Sequence, residues 1–137
     1  MAERELPVPL VDGMIHRPAV PRHMMRLKPA GRAVRVELDG RVLAEGEPLQ
    51  LVEIGRDVYD PVWYFPRHAV TAELTATERS THCPLKGDTT YYDLSDGSAE
   101  GIAWSYTDPL PFAEELRDLV AFDPSRVTVT LEPTGTG

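Results

Sequence analysis

Val34, Val36 and Leu38 alternate with Arg35, Glu37 and Asp39. A period of two puts successive side chains on opposite faces of an extended strand, so this stretch reads as a half-buried β-strand. Asp39-Gly40 supplies the backbone freedom of a two-residue hairpin turn. The chain then returns through Val42 and Ala44, turns again over 45–48 and resumes over 49–54. Residues 59–65 read as another strand, stopped by Pro66, which has no amide to donate. β-Branched content marks 70–77 as a strand. Residues 89–94, turned at Asp96-Gly97, pair with 101–106, and Val127, Val129 and Leu131 alternate in a last strand. Only 112–120 carries helical spacing, with Phe112, Leu116, Leu119 and Val120 on one face and Pro111 suited to the first turn. The expectation is a mainly β single domain. It takes the form of a small antiparallel sheet pair or an open, tent-like β-barrel with one short helix near the C-terminus.

Residues 1–31 hold five prolines and no clear period, and read as an irregular arm preceding a β-rich domain over 32–137. Charge divides along the same line. Residues 1–35 carry seven Arg or Lys and three Asp or Glu, net +4; residues 36–137 carry seven and 19, net −12. An acidic domain argues against a nucleic-acid groove, because phosphate binding needs a basic surface. No apolar run approaches the ~20 residues of a membrane span. The first residues lack the apolar core of a secretory signal, and one cysteine excludes an intramolecular disulfide. The chain therefore reads as cytoplasmic.

That cysteine, Cys83, lies in THCPLKGDTTYY (81–92), three residues before Lys86, with Pro84 and Gly87 promoting a turn between them. An ammonium beside a thiol favours the thiolate, and His82 is placed to add charge or act as a base, so Cys83 and Lys86 are the catalytic candidates. The opposing reading is a small apolar thiol packed under a turn. A structural zinc has no support: His16, His23, His68 and His82 are scattered, and such a site wants paired Cys or His ligands, while a catalytic site of His68, His82 and an acid stays open without any spacing that favours it. No metal and no cofactor is expected. The chain uses Arg twelve times and Lys twice, so a retained Lys86 suggests a need for a compact charge on a flexible stem. Arg67 follows a strand-stopping proline, at a sheet rim where sites gather. Trp104 and Tyr106 share one strand face, as do Trp63 and Phe65. A Gly-x-Ser-x-Gly elbow is absent.

YFPR (64–67), THCPLKG (81–87) with YY at 91–92, AWSYTDPLP (103–111) and VAF (120–122) together resemble the small bacterial family called domain of unknown function 427, also labelled nucleotidyltransferase-like. The resemblance covers roughly 34–131. It implies a compact strand-rich domain with Arg67, Cys83, Lys86, Gly87, Trp104 and Tyr106 as the characteristic positions. Two departures stand out: His68-Ala69 replaces the acidic residues that tend to follow the Pro-Arg, and Leu85 replaces an aromatic before the lysine.

Residues and resemblance lead to one expected site. Arg67, His82, Lys86, Gly87, Trp104 and Tyr106 would line a small polar cleft that takes a phosphate- or carboxylate-bearing small molecule, with the cations making charge-assisted hydrogen bonds. A nucleotidyltransferase-like activity is the furthest extension of that reading. The alternatives are a non-catalytic protein-interaction module in which the motif residues form a structural staple, and thiol chemistry at Cys83. Partners are then an anionic small molecule, without nucleic acid or membrane, and the chain is a monomer or a homodimer.

Overall fold

The computed structural model describes residues 14–17, 20–55, 60–83 and 85–132. Among the described residues, twelve strands form three antiparallel sheets. β1 (Met14–Arg17), β2 (Val20–Pro29), β5 (Leu49–Ile54) and β6 (Val62–Tyr64) make the first, in the order β1-β2-β5-β6. β7 (Leu74–Ala76), β8 (His82–Cys83), β9 (Gly87–Leu94), β10 (Ala103–Pro109) and β11 (Val120–Phe122) make the second, in the order β11-β10-β9-β7 with β8 also on β9. β3 (Val34–Leu38), β4 (Arg41–Gly46) and β12 (Thr128–Leu131) make the third.

The hairpin read from the alternation is present. Leu38 pairs with Arg41 across Asp39-Gly40, both at positive φ, as a two-residue turn of this hand requires. The β9–β10 pair is also as expected, with Trp104 opposite Tyr91.

Three expectations are corrected. None of the sheets closes into a barrel among the described residues; β6 instead reaches the second sheet by a bridge in which Phe65 and Val120 exchange backbone hydrogen bonds of 2.8 Å. The C-terminal α-helix is not formed. Pro111–Leu116 is a 3₁₀ segment broken at Ala113 (φ −119°), and Val120 belongs to β11. Asp118 at φ 61° turns the chain out of that segment, and pairing of β11 with β10 takes Val120, the last of the apolar residues that helical spacing had claimed. Within the stretch read as an irregular arm, Met14–Arg17 and Val20–Pro29 are strand. β1 and β2 form a hairpin, β2 pairs with β5, and Met25 is fully buried. Pro21 and Pro29 stand at the ends of β2, where a missing amide costs the ladder little. Residues 1–13, 18 and 19 of the arm lie outside the described residues.

The second sheet divides the core. On one face Tyr92, Leu94, Ala103, Val120 and Phe122 pack with Val34 and Val36 of β3 and Leu43 of β4. On the other, Tyr106 and Ala121 pack with Met25 of β2, Leu51 of β5, Tyr64 of β6, and Leu85 and Leu116. β11 is apolar at all three positions because both of its faces are covered, and such a strand shows no alternation. β6 follows the same rule: Tyr64 joins one cluster, Trp63 and Phe65 the other. No helix among the described residues is long and apolar enough to cross a membrane.

Candidate functional site: a buried lysine–glutamate–histidine cluster

The turn between β8 and β9 carries the motif that stands out in the sequence. Cys83 pairs with Gly87, so β8 and β9 lie side by side up to the start of the turn. Leu85 anchors it, fully buried in the second cluster. Gly87 has φ +115°, and a Cβ there would lie 2.5 Å from the carbonyl oxygen of Asp108 and 2.7 Å from the amide nitrogen of Leu110. The Lys86 carbonyl in turn accepts from the Leu110 amide at 2.9 Å. The glycine is needed for backbone-to-backbone approach, with no ligand required to explain it.

This anchoring sends Lys86 inward. Its ammonium donates to Oε1 of Glu53, and the other carboxylate oxygen, Oε2, lies 2.7 Å from Nε2 of His23. The side chains of Lys86, Glu53 and His23 retain only 9%, 15% and 18% of their exposure, so the cluster is withdrawn from water without being sealed. Nζ also lies 5.7 Å from the centre of the Tyr106 ring. Burial pushes the Glu53 carboxyl up, but Lys86 and His23 outweigh it and hold the group below its ordinary value. Around the cluster, Tyr64 packs edge-on against Trp104 and accepts its indole N–H at 3.1 Å, while Tyr106 and Tyr91 complete an aromatic wall. Burial, above all, pushes the phenols of Tyr64 and Tyr106 up, away from neutrality. Cys83 packs half-buried against the same cluster.

The structure therefore brings together Lys86, Gly87, Cys83, Trp104 and Tyr106, and separates Arg67 and His82 from them. Arg67 is exposed. Its guanidinium stacks 5.3 Å above Tyr92 and donates to the Tyr92 hydroxyl at 3.4 Å. Tyr92 and Tyr106 occupy opposite faces of the second sheet, so the two cations do not converge on one cleft. His82 is exposed and sits directly across the strand pair from Asp88, at 2.6 Å. Three cavities lined by described residues have volumes of about 430, 370 and 20 Å³, and neither Lys86 nor Arg67 lines any of them.

Two members of the cluster escaped the sequence reading. Glu53 had a visible signal. Leu49, Leu51 and Glu53 share one strand face, and Leu51 is buried, so an acid stands on an apolar face. His23 stands two residues from buried Met25 on β2 in the same way, but only once that segment is read as a strand.

These features define a mainly β domain of antiparallel sheets, stitched between its first and second sheets by a largely buried Lys–Glu–His cluster. The chain belongs to the family designated domain of unknown function 427, DUF427, whose sequence profile matches residues 26–133. Glu53, Lys86 and the glycine that orients it lie inside that match, and His23 lies just before it. No curated protein matches the chain.

Proposed function

We propose that the chain is a non-catalytic interaction module in which the signature residues form a structural staple. The observation that carries this is the Lys86–Glu53 pair: the ammonium that would receive an anionic ligand is already neutralised, inside the fold, by the domain's own carboxylate. A phosphate at Lys86 would have to share the ammonium with the Glu53 carboxylate, at the cost of like-charge repulsion, or displace it and leave that carboxylate on His23 alone in a poorly solvated place. The directions of the proton affinities agree. A general acid or base works best with a pKa near the operating pH. Glu53 is held down and Tyr64 and Tyr106 are pushed up, each away from that range. This favours the staple over the anion-binding and nucleotidyltransferase-like readings.

Thermal unfolding tests it. Removing one partner of a buried pair costs about 3–5 kcal/mol, whereas replacing both by apolar side chains is close to neutral. Lys86→Met should lower Tm by several degrees, toward the lower end of that energy range because the pair keeps some exposure. Lys86→Met combined with Glu53→Leu should recover most of the loss. Inorganic phosphate and nucleoside triphosphates should leave the wild-type Tm unchanged. A triphosphate that raises Tm in wild type and not in Lys86→Met, with no stability lost by the substitution itself, would restore the transferase-like reading.

A further inference from the structure

Beyond the staple, and resting on the reading that this is an interaction module, we propose that one groove is a docking site for a peptide segment with an apolar side chain next to arginine or lysine. The groove has a volume of about 370 Å³. Its apolar lining comes from three prolines, Pro29, Pro48 and Pro66, two leucines, Leu49 and Leu119, and the ring of Tyr64. It lies at the seam between the first two sheets, because Pro66 and Leu119 flank the Phe65–Val120 bridge that joins them.

Its chemistry selects the occupant. Prolines contribute rings and carbonyls but no N–H. The charged side chains on the lining are Glu47, from the loop between β4 and β5, and Glu115, from the 3₁₀ segment. Glu47 is held in place because its Oε2 accepts the amide of Gly31 at 3.2 Å, and among the described residues its other oxygen accepts no hydrogen bond. Glu115 is exposed. The groove thus offers apolar surface and acceptors, and the matching partner is apolar and rich in donors. Arginine, with five N–H groups in a fixed fork, fits best. A chain of net charge −8 adds attraction for such a cation at a distance. An anionic or purely apolar partner lacks this match.

The test is fluorescence polarisation with a labelled peptide whose Leu-Pro-Leu centre is flanked by arginines, against a control peptide with glutamate in place of each arginine. The arginine peptide should bind saturably and lose affinity as salt rises; the glutamate peptide should not bind. Glu115→Lys should weaken binding about tenfold or more, as reversal of a charge facing a cation does. Leu119→Asp should abolish it, and if that half-buried change unfolds the protein, Glu115→Lys, on an exposed position, decides alone. Absence of saturable binding, equal binding of both peptides, or binding untouched by Glu115→Lys would each overturn the proposal. The staple is read separately through the Tm of Lys86→Met, so failure of one reading leaves the other measurable.

Discussion

Lys86 and Gly87 are adjacent, and each is explained by what it touches. Gly87 admits the backbone of Asp108 and Leu110 at distances where any Cβ would collide with main-chain atoms that cannot swing aside. Gly87→Ala combines that clash with a positive φ, and should destabilise by about 3 kcal/mol or more or prevent folding, as read by circular dichroism and chemical denaturation. Ser105 poses the opposite case. It is fully buried between Trp104 and Tyr106 in sequence but on the other face of β10, and its hydroxyl has no hydrogen-bond partner among the described residues. An unsatisfied buried hydroxyl carries a desolvation penalty of about 1–3 kcal/mol. Ser105→Ala should therefore raise the free energy of unfolding by up to about 1 kcal/mol after the small loss of packing, read as a higher denaturation midpoint. A drop of the same size would mean that the hydroxyl has a partner.

At the level of elements, the segment from Pro111 to Phe122 is the most informative failure of the periodic pattern. Apolar residues spaced for a helix are equally consistent with a short 3₁₀ turn followed by a strand buried on both faces, since such a strand has no period of its own. The switch between the two is made at Asp118, in the left-handed region at φ 61°. Asp118→Gly should hold or slightly improve stability, while Asp118→Val, a β-branched side chain at positive φ, should cost about 1–2 kcal/mol. Equal effects of the two would mean that the turn is not held there. A strand that alternates was legible from the sequence, as β3 shows, because Val34 and Val36 face the core while Arg35 and Glu37 do not. β2 was hidden by its prolines, which mark its ends and do not forbid it. The same blindness concealed half of the site. Lys86 and Gly87 were legible as unusual residues in a turn, but the partners that define their role lie on β2 and β5. Pairing between strands so far apart in sequence leaves no local trace beyond a polar residue on an apolar face.

For the whole molecule, the staple and the aromatic wall set a window of pH. Glu53 binds a proton less readily in the folded chain than in the unfolded one, because Lys86 and His23 more than offset its burial. The stability it contributes is therefore complete above the ordinary glutamate value of about 4.3 and drains away as pH falls through the lower folded value. Asp96, bonded to Ser98 and Arg41, and Glu114, bonded to Arg117, are lowered too, but both are exposed and add little. At the alkaline end the sign reverses. Tyr64 and Tyr106 are pushed up, chiefly by burial, so the unfolded chain gives up these protons first. Their contribution is intact below the ordinary tyrosine value of about 10 and is lost as pH rises beyond it. Tm measured against pH should show a plateau between roughly pH 5 and 9 with a fall on each side. The acid limb is diagnostic of the staple. In the Lys86→Met and Glu53→Leu double variant it should be shallower than in wild type, while the alkaline limb, which belongs to the tyrosines, should be little changed. Identical acid limbs would show that Glu53 and Lys86 do not couple the sheets in solution, and the interaction-module reading would lose its structural foundation.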